Sequence, residues 1–174
     1  MKLKDMTLIS LFAAFFAVSA WITVPFAIPF TMQTFAIFLA CLTLGGGHAA
    51  LSVTVYLLAG AVGLPVFSGF RGGAGVLLGP TGGYLVGFVA LCLVYQAVTA
   101  LLPNIKKKKP LALLLGLAVL YLFGTVWYVL LSLKAGGVGF FAAFSTCVLP
   151  FVLPDLAKMA LSFLVTNRIK SFLK

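Results

Sequence analysis

Acid is nearly absent from this chain. Its 174 residues carry two carboxylate side chains, Asp5 and Asp155, against twelve lysines and arginines. Charge of either sign is scarce through the first half, where Arg71 is the single charged residue between Met6 and Ile105. A composition 63% hydrophobic and 8% charged excludes an ordinary soluble domain, in which about a quarter of residues are charged. One histidine, and no Ser/His/Asp grouping in the apolar stretches, leaves no catalytic set, so no enzyme is expected. Cys41, Cys92 and Cys147 stand singly without metal-ligand spacing and read as packed or lipid-facing thiols. No metal or cofactor is therefore expected. No Gly-Lys-Ser/Thr element is present, so the chain cannot hydrolyse ATP by itself.

What remains is apolar sequence, with a mean hydropathy of +1.24. About 20 apolar residues span a bilayer as a helix, which predicts six spans in one membrane domain, residues 1–174. They lie near 7–24, 30–44, 48–64, 80–102, 111–133 and 147–166, the second and third being short. The N-terminus resembles a secretion signal, but with five apolar segments after it, it reads as a retained first helix. The net charge of +10 invites a nucleic-acid reading, yet the cations lie between or beyond apolar blocks, and no basic face is interleaved with aromatics. With six spans, Lys2, Lys4, Lys106–Lys109, Arg168, Lys170 and Lys174 fall on one side of the bilayer. Arg71 and Lys134 fall on the other. The lysine-rich side, with both termini, is expected to be cytoplasmic.

Asp155 and Lys158 stand at i and i+3 in the last span and so share a helix face. Charge inside a span is expensive and usually faces a cavity or a ligand path. The pair is expected to form the floor of a polar ligand site, although it can also brace helices, and Asp155 after Pro154 suits a helix cap. The segment from Leu64 to Tyr84 is rich in glycine. It lacks a complete G-x-G-x-x-G, since Leu78 takes the last position, and is expected to be a non-helical external segment lining a cavity. Its Phe67, Phe70 and Tyr84 suit the covering of a flat ring, and Arg71 lies toward the same outer end. Gln33 supplies donor and acceptor capacity, for a ligand or for a neighbouring helix. Ala13 and Ala17 make a small-xxx-small spacing that suits either a partner helix or internal packing. His48, after three glycines, reads as a turn residue.

Three runs, I-P-F-T-M-Q-T from Ile28, the segment Gly63–Tyr84 ending in G-P-T-G-G-Y, and P-F-V-L-P-D-L-A-K from Pro150, closely resemble the BioY family. Members are biotin-binding S components of energy-coupling-factor transporters. The resemblance covers nearly the whole chain and implies a membrane receptor for biotin that works with a transmembrane coupling protein and two ATPase subunits. It also implies ligand roles for Asp155 and Lys158, and a coupling-protein contact at Ala13 and Ala17. Arg71 follows Gly-Phe where relatives can have a small or amide residue, and Leu85 stands where some have arginine. By its chemistry, biotin offers ureido N–H groups for Asp155 and Gln33, a carbonyl for Lys158 and a carboxylate for Arg71. The alternatives are an S component for another vitamin, or a proton-coupled carrier acting alone through Asp155.

Overall fold

The computed structural model describes residues 2–25, 28–105, 107–133 and 136–172. Lys106, Lys134 and Lys174, part of the charge pattern above, lie outside them. Helices dominate: α1 (Leu3–Trp21), α2 (Gln33–Leu44), α3 (Gly46–Ala61), α4 (Ala74–Leu77), α5 (Gly82–Leu101), α6 (Lys108–Ser132), α7 (Phe140–Cys147) and α8 (Leu149–Phe172). A two-residue hairpin, β1 (Thr23–Val24) and β2 (Phe30–Thr31), joins α1 to α2, with Thr23 opposite Thr31.

Among the described residues, α1, α5, α6 and α8 are long and apolar enough to cross a membrane. Helices α2 and α3, at 12 and 16 residues, reach about 18 and 24 Å at 1.5 Å per residue, less than the roughly 30 Å of a hydrocarbon core. Apolar side chains cover the outside of the long helices. Leu11 and Val18 on α1, Leu114 and Leu122 on α6, and Leu161 and Leu164 on α8 are all exposed. A bundle whose outer face is as apolar as its core is built for lipid, where the drive to bury leucine is absent and close packing holds the helices together.

The elements end where local chemistry changes. Helix α1 stops at Trp21, three residues short of the expected span, because the chain turns into the hairpin. The Met32 N–H then bonds to the Ser19 and Ile22 carbonyls, satisfying acceptors a helix end leaves open. The expected last span at 147–166 is differently built. Helix α7 breaks off at Cys147, and α8 starts at Leu149 with both Pro150 and Pro154 inside it. Asp155 is thus in the second turn of α8, not at its cap. Pro150 sits where no N–H is needed, whereas Pro154 leaves the Pro150 carbonyl without its helical donor. His48 is likewise helical, in the first turn of α3.

One end of the bundle is tied together by side chains. Trp21 donates its indole N–H to the Pro65 carbonyl at 3.0 Å, Ser68 donates to Thr23 Oγ1 at 3.0 Å, and Trp127 donates to the Gly79 carbonyl at 3.0 Å. The glycine-rich segment is not wholly non-helical, since it contains α4. Its first part is a tight turn closed by a bridge between Phe67 and Arg71. Ala13 and Ala17 are buried in the core. They therefore present no free face, and on this stretch of α1 the exposed alanine is Ala14. Spacing alone cannot tell which side of an all-apolar helix turns inward.

Candidate functional site

Helices α2 and α8 pack together and meet the hairpin and α6 around a small polar cluster. Asp155 Oδ1 accepts from Lys158 Nζ at 2.8 Å and from Thr34 Oγ1 at 2.7 Å, and Oδ2 accepts from the Tyr121 hydroxyl at 2.7 Å. Lys158 Nζ donates further to the Thr31 carbonyl at 2.7 Å and to Thr34 Oγ1 at 3.0 Å, and lies 3.9 Å above the Phe30 ring. All three ammonium hydrogens are therefore engaged. Asp155 accepts three bonds, and a carboxylate has about four acceptor positions, so it retains one. The pair is buried, with Asp155 3% and Lys158 7% exposed. Such a pair is tolerable only when its charges cancel and its remaining polar atoms are bonded. Both conditions hold here.

The cluster borders an open cavity between the helices. Gln33, Phe67, Tyr84, Arg71, Asp155 and Lys158 all line it, so six of the seven ligand-site expectations come together at one cavity. Phe70 does not. At φ +57° it turns away from the bundle, 64% exposed, and stacks on Trp21 with ring centroids 5.0 Å apart. The bridge that turns Phe67 inward sends Phe70, three residues later, outward.

Aromatic walls require missing side chains behind them. A Cβ on Gly60 would overlap the Phe67 ring, and one on Gly124 would overlap the Tyr84 ring. These glycines let both rings lie flat against α3 and α6 and leave the space in front of them clear. Phe67 also meets Tyr56 edge-on at 5.5 Å. Gln33 is spoken for on one side. Its Nε2 donates to the Tyr56 hydroxyl at 2.9 Å and its Oε1 accepts from Thr31 Oγ1 at 3.1 Å. One N–H and one acceptor position remain on the amide. Arg71 is exposed at the rim, its Nε donating to the Ser68 carbonyl at 3.1 Å.

Four contributors escape a reading of the sequence: Thr34, Tyr121, Phe30 and the Thr31 carbonyl. Tyr121 carries a readable signal, because with Thr125 it forms an i, i+4 polar pair in the otherwise apolar stretch 110–126 of α6, and Thr125 lies 3.3 Å from the Tyr84 hydroxyl. Thr34 lies inside the I-P-F-T-M-Q-T run beside Gln33. The Thr31 carbonyl leaves no trace in sequence, since any residue supplies one.

A family model described as the BioY family matches residues 1–174. The chain belongs to the BioY family. Among its relatives, the probable biotin transporter BioY of Pyrococcus horikoshii is 39% identical over 98% of both chains. The biotin transporter BioY of Thermotoga maritima is 40% identical over 92% of both. The crystal structure of the S-component for biotin from an ECF-type ABC transporter superposes with a TM-score of 0.82. It covers 97% of this chain and 91% of its own, at 24% identity. That likeness establishes the shared fold, and with the BioY relatives it makes this chain a multi-pass cell-membrane protein.

Proposed function

We propose that this BioY chain is the biotin-binding subunit of an energy-coupling-factor transporter, without enzymatic activity of its own. The carrying observation is a buried, charge-balanced Asp155–Lys158 pair with an acceptor position left on Asp155, standing beside an aromatic-walled cavity that a cation, Arg71, borders at its rim. The relatives named biotin transporters at about 40% identity support the same ligand.

Biotin fits this geometry by chemistry. A ureido N–H donates to Asp155, and the remaining capacity of Gln33 serves the same ring. Lys158 holds Asp155 and Thr34 in place, and a ligand carbonyl reaches its ammonium only by replacing one of three present acceptors. Phe67 and Tyr84 face the fused rings. Arg71 meets the carboxylate, since unlike Lys158 it has no carboxylate partner to cancel its charge among the described residues. Charge-assisted bonds of this kind are roughly twice as strong as neutral ones. Transport then needs a coupling protein and two ATPase subunits, and both termini on the cytoplasmic side of six spans.

Calorimetry of the detergent-purified chain tests the reading. Biotin is expected to bind, and its uncharged primary amide to bind more weakly because the Arg71 interaction is lost. Absence of biotin binding refutes the assignment. Proton-driven uptake by vesicles lacking any ATPase would transfer the chain to the class of solitary carriers.

A further inference from the structure

A second open space adjoins the ligand cavity, lined by Pro29, Arg71, Gly75, Val76, Gly79, Pro80 and Thr81. Four of these residues, Pro29, Arg71, Val76 and Thr81, also line the inner cavity. The two spaces therefore share a wall, with Arg71 in it. The residues particular to the second space are Gly75, Gly79 and Pro80, two of which have no side chain to fill it. A Cβ on Gly75 meets nothing within 4 Å. Arg71 keeps guanidinium N–H donors beyond the Nε that Ser68 holds, enough to meet a carboxylate on either side of the shared wall.

We infer that this outer space is a vestibule for the tail of biotin derivatives extended through an amide at the carboxylate, with biotin joined to the side-chain nitrogen of lysine as the representative ligand. This rests on the reading of the inner cavity as a biotin site and extends its substrate class. The bicyclic head occupies the inner cavity, the acyl chain passes Arg71, and the lysine portion lies between Pro29 and the α4–α5 turn. The lysine α-carboxylate gives Arg71 an anionic acceptor in place of the one that amide formation removes, although the α-ammonium beside it leaves the lysine portion net neutral. An uncharged amide offers no such replacement.

The test is calorimetry on the purified full chain and on Gly75→Leu, which narrows the outer space and leaves the inner lining intact. Biotinyl-lysine is expected to bind the unaltered chain within about tenfold of biotin, and more tightly than the primary amide. In Gly75→Leu its affinity is expected to fall by at least about tenfold while that of biotin stays unchanged. Biotin binding without biotinyl-lysine binding overturns the vestibule and leaves the biotin site standing. Equal losses for both ligands in Gly75→Leu overturn it as well. Failure of biotin itself to bind removes the vestibule together with the site it extends.

Discussion

Asp155 is the residue on which the site converges, because Thr34, Lys158 and Tyr121 all donate to it from three helices. Replacing it with asparagine keeps the shape and removes the charge, leaving Lys158 buried with an uncancelled positive charge. Hydrogen bonds to charged groups contribute about 1.5–3 kcal/mol, so Asp155→Asn is expected to weaken biotin binding by roughly ten- to hundredfold by calorimetry. Unchanged affinity would remove Asp155 from the ligand site. Tyr121→Phe asks a narrower question. It frees Oδ2 of one donor and leaves the ion pair whole, so the predicted loss is smaller, about tenfold at most, with a stability cost of about 1–3 kcal/mol because a buried carboxylate oxygen loses its donor. A variant that unfolds at lower temperature yet binds normally below it would assign Tyr121 to bracing alone. The pair itself is legible in sequence, since two opposite charges one turn apart inside hydrocarbon must share a helix face and cancel. Their bonding state is not. Nothing in sequence says that Lys158 already spends every hydrogen, and that fact limits it to holding Asp155 unless a ligand displaces a partner.

At the scale of elements, the long apolar runs are readable because a bilayer demands length, and α1, α5, α6 and the body of α8 lie where hydropathy puts them. The failures cluster where backbone competes with periodicity. The hairpin takes the C-terminal residues of the first expected span and the N-terminal ones of the second, and prolines that signal a helix start sit inside α8. Glycines are visible in sequence, but their purpose is readable only once a ring is seen across from them. Gly124 is the sharpest case, because its missing side chain is the seat of the Tyr84 ring on α6. Gly124→Leu must push Tyr84 toward the cavity or force α5 and α6 apart. Overpacking of this kind costs about 1–3 kcal/mol, so a lowered unfolding temperature in detergent is expected together with weakened biotin binding. Gly47→Ala, at a position whose added Cβ meets nothing within 4 Å, serves as the matched control. Equal behaviour of the two variants would refute the close-approach account of the wall.

For the whole molecule, the number of bilayer crossings and the end that faces the cell decide from which side a ligand enters. Lys2, Lys4, Lys107, Lys108 and Arg168 gather at one end of the long helices, whereas Arg71 belongs to the end with the cavity. Cations near span ends favour the cytoplasm, so the proposed orientation turns the cavity outward. Helices α2 and α3 are too short for a comfortable crossing, but a short apolar helix can span where the bilayer thins or where flanking residues extend its reach. Single cysteines in a background without Cys41, Cys92 and Cys147 separate the possibilities. Phe70→Cys, exposed and outside the cavity lining, is expected to react with an impermeant maleimide in intact cells. Asn104→Cys, exposed between α5 and α6, is expected to react only after permeabilisation. The reverse pattern would invert the orientation and leave the cavity open to the cytoplasm. Gly47→Cys, exposed just after α2, fixes the count. Labelling only after permeabilisation means that α2 and α3 each cross, giving six spans. Labelling from outside, or none from either side, means that the two short helices enter and return on one side, and the chain crosses four times around a cavity built in part by a re-entrant pair.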